Sequence, residues 1–181
     1  MKNFINFLTF FRLFAGPVIF VLILILPYYE IALIIYLLAS ITDYFDGYLA
    51  RKYELTTEFG AVMDPIADKI LITFMICALS VHLSSPYIAF MGSIVLAREF
   101  WVSALRDLNA RRGLSTVTAV SFLAKLKTAV QMLTFFFYLI GIAFNLKFVL
   151  FLSHIMILLA VILTIISGIQ YTQSTFGSIK K

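Results

Sequence analysis

DYFDGYLARKYELTTEFGAVMDPIAD, residues 43–68, sets four aspartates into a chain that is otherwise mostly apolar. Asp43 and Asp46 are three residues apart, and Asp64 and Asp68 four apart. Those are the separations at which side chains share one face of a helix. Gly47 and Arg51 continue from Asp43 at steps of four, and Gly60 leads into Asp64 and Asp68 at the same step. The pattern predicts two helices facing each other along these stripes, with all four carboxylates together and glycines where backbones or a ligand must come close. Ionisable groups inside apolar segments are costly and mark function.

Four ionised carboxylates in a low dielectric repel one another unless protons or cations compensate them. Two divalent cations balance the charge, and a ligand set made only of oxygen favours Mg2+ or Mn2+ over zinc. A paired-metal site of this kind suits displacement at a phosphoryl centre.

Working outward, hydrophobic residues make up 62% of the 181 residues, charged residues 13%, and the mean hydropathy is +1.04. Such a composition excludes an ordinary soluble domain and predicts an all-α integral membrane protein. At about 20 residues per span, there is room for roughly six transmembrane helices. No repeat or linker divides residues 1–181, so a single membrane domain is expected. Asn3, Asn6, Thr9 and Arg12 recur every three residues, which predicts a short N-terminal amphipathic segment at the interface, feeding a span that ends near Pro27. A cleaved signal peptide is disfavoured because no small-residue cleavage site follows the apolar run. The remaining spans are expected at about 31–50, 60–81, 87–108, 120–140 and 148–171, with Pro65 in the first turns of its helix.

Cys77 reads as a small buried hydrophobe, and His82 and His154 lack metal-ligand spacing. Tyr28, Tyr29 and Tyr87 at the outer ends and Tyr171 at the inner end suit an aromatic belt. The Met and Phe stripes of the last two spans read as lipid-facing or packing residues. With a cytosolic N-terminus, every one of the 14 basic residues except Lys147, and every one of the nine acids except Glu30, falls on the cytosolic side. The positive-inside rule then puts the aspartates at the cytoplasmic face of a cell (inner) membrane.

A second constellation follows the fourth span. Arg98 and Arg106 are eight residues apart on nearly one face, and Lys125 and Lys127 open the next helix across a loop containing Gly113. Arg111 and Arg112 read as anchors on anionic headgroups. The other four read as a phosphate pocket, because a charge in the cytosolic half of a span needs an anion, either phosphate or Glu99.

Asp43-x-x-Asp46-Gly47-x-x-Ala50-Arg51, eight residues, then Gly60-x-x-x-Asp64-x-x-x-Asp68 is similar to the signature of the CDP-alcohol phosphotransferase family. The resemblance implies a transferase in which Asp43, Asp46, Asp64 and Asp68 bind two divalent cations and Asp68 is the base that deprotonates an acceptor alcohol. It also implies that Asp43, Asp46, Gly47, Ala50, Arg51 and Gly60 bind the CDP donor, and that the protein is a homodimer. The run Asn6-x-Leu8-Thr9-x-x-Arg12-x-x-x-x-Pro17 is similar to the start of bacterial members, with Ile5 where those usually carry proline. AREFWVSALR (97–106) and KLKTAVQM (125–132) resemble the branch that makes phosphatidylglycerol phosphate. That likeness implies CDP-diacylglycerol as donor, and glycerol 3-phosphate as acceptor with its phosphate held by Arg98, Arg106, Lys125 and Lys127. Alternatives are another acceptor such as inositol phosphate or serine, a prenyl transferase using Mg2+ and an isoprenyl diphosphate, and a cation transporter. The prenyl transferases lack the Gly-x-x-Ala-Arg continuation, and a transporter needs access from both faces, whereas the acids here, Glu30 excepted, cluster on one. No nucleic-acid partner is implied.

Overall fold

The computed structural model describes the backbone of residues 2–53, 58–113 and 122–177, and within them the side chains of 7–42, 62–113 and 122–177. The described residues form six helices: α1 (Lys2–Leu24), α2 (Tyr29–Tyr53), α3 (Glu58–His82), α4 (Pro86–Arg111), α5 (Phe122–Ala143) and α6 (Lys147–Gly177). Helix is the structure that satisfies every backbone polar group within its own segment, which an apolar surrounding demands. Four of them, α1, α4, α5 and α6, contain stretches long and apolar enough to cross a membrane, while Tyr29–Thr42 in α2 is a shorter apolar stretch.

The breaks between helices are local chemistry. Ser84 takes a φ of +45°, and the Ser85 hydroxyl then caps α4 by accepting from the Ile88 amide at 3.3 Å, with Pro86 next in the chain. Proline suits that first position because its missing N–H would have had no helical partner. Between α5 and α6, Asn145 sits at φ +53°, a conformation that asparagine tolerates, and the Leu146 amide closes back on the Gly141 carbonyl at 2.9 Å.

The main helix contacts close a ring in the order α1, α3, α4, α6, α5, α2 and back to α1. One core runs through all six, with Ile19, Tyr36, Met75, Ile88, Tyr138 and Val161 as one buried member from each. Outside this core, Phe148 and Phe122 are each 77% exposed and Phe151 64%, so the outer surface is apolar as well. Lipid tails are the solvent for such a surface, and the chain is an integral membrane protein.

The α1 and α3 backbones approach closely. A Cβ built on Gly16 would stand 3.1 Å from the Leu71 Cα and 3.3 Å from the Ile70 carbonyl oxygen. Glycine lets these two backbones meet.

Three expectations change here. The polar N-terminal stripe is not a separate interfacial segment: α1 is continuous from Lys2, and Thr9 and Arg12 are buried on the side of the helix that meets α3. Pro65 is the eighth residue of α3, past its first two turns, because the helix begins at Glu58 rather than near residue 60. Cys77 is exposed, on a helix whose neighbouring Met75, Ile76, Ala78 and Leu79 are all buried. An apolar residue has no reason to face inward when the surroundings are equally apolar. His82 lies edge-on to Tyr29, and His154 packs between Tyr87 and Tyr138.

Substituting Gly16 by leucine should force α1 away from α3 at a cost of about 1–3 kcal/mol. A lowered midpoint of thermal unfolding in detergent checks this; an unchanged midpoint contradicts the close approach.

Candidate active site

The acidic half of the site is built on α3. Asp64 and Asp68 lie one turn apart, so both carboxylates emerge on one face. A single guanidinium from α1 spans them: Arg12 Nη2 donates to Asp64 Oδ1 at 2.9 Å and Arg12 Nη1 to Asp68 Oδ1 at 3.0 Å. The Thr9 hydroxyl donates to the same Asp64 oxygen at 2.8 Å. The Arg12 side chain is 1% exposed, whereas those of Asp64 and Asp68 are 41% and 39% exposed. The cation is therefore structural and sealed, and the carboxylates keep an open side. Gly16, one turn beyond Arg12, is what brings α1 close enough for this reach.

Asp43, Asp46, Gly47, Ala50 and Arg51 belong to the last turns of α2, and Gly60 to the first turn of α3. Their side-chain environment lies outside the described residues. Among the described residues no cluster of three or more metal-ligating side chains occurs. The donor set that α3 itself supplies still fits a hard divalent ion, since it is two carboxylates on one face with exposed edges.

A cavity of about 600 Å³ opens between α3, α4 and α5. Asp68 and Lys69 line its α3 wall, Arg98, Glu99, Ser103 and Arg106 its α4 wall, and Lys127 its α5 wall. Lys127 is buried and ion-paired to Glu99, which also accepts from Arg98 Nη1 at 3.3 Å. The Arg98 Nη2 donates to the Ser167 hydroxyl at 2.9 Å, and Arg106 Nη2 donates to the Tyr171 hydroxyl at 2.9 Å, both on α6. Lys69 donates to the Ser103 hydroxyl at 2.8 Å, tying α3 to α4 across the cavity.

Three of the four basic residues expected to form a phosphate pocket, Arg98, Arg106 and Lys127, thus share one cavity. Lys125 does not join them. It is exposed and does not line the cavity, because two residues along a helix turn a side chain about 200° from Lys127. Arg111 and Arg112 are exposed, as headgroup anchors would be, and Arg111 pairs with Asp107 at 2.9 Å. Tyr171 departs from the aromatic-belt expectation: it is buried, with Arg98 and Arg106 over its ring.

Sequence reasoning missed Arg12, Thr9, Lys69 and Tyr171. For Arg12 a signal existed, namely one cation in the apolar stretch Phe7–Leu24, with a threonine three residues before it and a glycine four after. Such a charge needs an anion on a neighbouring helix.

A model of the CDP-alcohol phosphatidyltransferase family matches residues 2–166. Three relatives share the name CDP-diacylglycerol–glycerol-3-phosphate 3-phosphatidyltransferase. The Haemophilus influenzae protein is 38% identical over 177 residues, covering 96% of this chain and 93% of its own length. The Rickettsia typhi protein is 40% identical over 175 residues, covering 94% and 96%. The Sodalis glossinidius protein is 40% identical over 134 residues, covering 72% and 73%.

Replacing Arg12 by leucine should destabilise the fold by stranding two carboxylates beside an apolar helix. In a background carrying Asp64→Asn and Asp68→Asn the same replacement should cost less, with a coupling of about 1–2 kcal/mol. Unfolding midpoints of the four proteins of this cycle give the coupling, and strictly additive losses would contradict the clamp.

Proposed function

The chain belongs to the CDP-alcohol phosphatidyltransferase family, and from that premise we propose how its residues divide the work of one transfer reaction. It is an enzyme of phospholipid biosynthesis that moves the phosphatidyl group from CDP-diacylglycerol to sn-glycerol 3-phosphate, giving phosphatidylglycerol phosphate and CMP. One observation carries the division of labour: Asp68 lines the same cavity as Arg98, Arg106 and Lys127. A small acceptor with a phosphate at one end and a hydroxyl at the other fits that polarity.

In this reading Arg98, Arg106 and Lys127 hold the acceptor phosphate through charge-assisted contacts. The 1-hydroxyl then points toward Asp68, which takes its proton as the oxygen attacks the β-phosphorus of CDP-diacylglycerol. A new P–O bond forms to glycerol, the P–O bond to CMP breaks, and CMP carries away the electron pair. Holding base and acceptor in one cavity makes the attack effectively intramolecular. Arg12 keeps the carboxylates of Asp64 and Asp68 on one side of α3, ready for the donor. Asp43, Asp46, Asp64 and Asp68 would hold two divalent cations, Mg2+ or Mn2+, with Gly47, Ala50, Arg51 and Gly60 about the CDP moiety. Bound there, such ions supply charge neutralisation for the diphosphate.

The membrane arrangement belongs to the same proposal. The α3 helix packs between α1 and α4 in the ring and contributes Leu71, Met75 and Leu79 to the core, which supports six spans. The basic residues support a cytoplasmic face for the site in a cell (inner) membrane. Assembly as a homodimer rests on the family resemblance and is open to a mass measurement in detergent.

Turnover should require an added divalent ion and stop in chelator, and Asp64→Asn should remove it at every ion concentration; full activity in excess chelator overturns the metal assignment. The pocket has its own test. Arg106→Ala should raise the KM for glycerol 3-phosphate by more than about tenfold while binding of CDP-diacylglycerol changes little, and Arg106→Lys should recover only part, lacking the guanidinium fork. Wild-type kinetics in the folded alanine variant would remove Arg106 from the site.

A further inference from the structure

We propose that α6, through Tyr171, is the positioning element of the acceptor-phosphate pocket, setting where Arg98 and Arg106 present their guanidinium groups. The inference rests on the pocket reading above and extends it to a helix that does not line the cavity.

The two arginines are eight residues apart on α4, roughly 12 Å along the axis at 1.5 Å per residue. They nonetheless converge on one ring: the Arg98 Cζ is 5.6 Å and the Arg106 Cζ 5.2 Å from the centroid of Tyr171. That ring is 4% exposed and packs with Val102, Leu105 and Ala124 where α4, α5 and α6 meet. Its hydroxyl accepts from Arg106 Nη2, while one turn earlier the Ser167 hydroxyl accepts from Arg98 Nη2. Between them Gly168 leaves room for the Arg98 stem, since a Cβ there would stand 3.2 Å from Arg98 Cγ. Ser167, Gly168 and Tyr171 thus form a seat for two arginines on a helix that is otherwise strongly apolar.

Free arginine side chains carry large rotamer entropy, and two of them side by side repel. An electron-rich ring beside both cations lowers that repulsion and holds the pair in place, with the ring itself buried, Arg98 partly buried and Arg106 exposed to the pocket side. Preorganisation of this kind appears as affinity for the ligand, because less order remains to be imposed on binding. A dianionic phosphomonoester is the ligand that gains, whereas the CDP donor does not.

The test compares Tyr171→Leu, Tyr171→Phe and Arg106→Ala in the full-length protein in detergent, with Thr172→Val as a packing control. Thr172 accepts from Trp101 Nε1 at 2.9 Å between the same two helices but contacts neither arginine through that bond. Three readouts are taken: KM for glycerol 3-phosphate, KM for CDP-diacylglycerol, and competitive inhibition by inorganic phosphate. Loss of the ring should raise the first, and the inhibition constant for phosphate, by about five- to thirtyfold. Tyr171→Phe, keeping the ring, should raise them by only about two- to fivefold. The donor KM and the Thr172→Val kinetics should stay at wild type. Should Tyr171→Leu fail to fold, Tyr171→Phe and Ser167→Ala must still show the selective rise. Equal losses for both substrates, or kinetics like those of Thr172→Val, overturn the proposal. If that happens while Arg106→Ala weakens glycerol 3-phosphate, the pocket stands without its α6 seat; if Arg106→Ala is also silent, the pocket itself fails.

Discussion

A guanidinium sealed inside an apolar bundle must have an anion within reach, and Arg12 has two. Its contacts at 2.9 and 3.0 Å to Asp64 and Asp68 are made across the α1–α3 interface, from a side chain that is 1% exposed. An unpaired charge at that depth would be far more costly than any single apolar contact could offset. The pair therefore locks the register of α1 on α3, and Gly16 permits the close approach that the lock requires. From α3 the order continues: Lys69 reaches Ser103 on α4, Arg98 and Arg106 reach α6, and Tyr36 on α2 donates to the Met132 carbonyl on α5 at 2.9 Å. Polar ties thus accompany much of the helix ring.

Charges of both signs line the cavity. Asp68 stands on the α3 wall beside Lys69, and Arg98, Arg106 and Lys127 face the same space from α4 and α5. Glu99 sits among the cations as a resident anion for Lys127 and Arg98, which lowers the cost of keeping them buried without a ligand. Arg106 is not tied to Glu99 by an ion pair, and it is steadied instead by the ring and hydroxyl of Tyr171. Such an arrangement suits a substrate that carries its own two negative charges at one end and a reactive hydroxyl at the other.

Much of this was legible in the sequence, and the exceptions share a cause. The pairing of Asp64 with Asp68 on one face could be read because a four-residue spacing is local, and the helices because their apolar runs are long. Family membership was likewise written in the motif and agrees with the match over residues 2–166. Which face of an apolar helix turns inward is a different question, since hydrophobic periodicity fades when core and surroundings are both apolar. Cys77 and Tyr171 were misread for that reason. Arg12 was missed because its partners lie 52 and 56 residues away, beyond any local pattern. Lys125 was grouped with Lys127 by proximity in the chain, although two residues on a helix point in nearly opposite directions.

A phosphate-bearing alcohol should be selected by a cavity that Asp68 lines together with Arg98, Arg106 and Lys127. A panel of acceptors tests it most directly, with purified protein, CDP-diacylglycerol and divalent ion, following CMP and the lipid product together. One CMP should be released per phosphatidylglycerol phosphate formed with sn-glycerol 3-phosphate, and little with glycerol or serine, which lack the phosphate. Comparable CMP release with glycerol or serine, or none with glycerol 3-phosphate, would contradict it.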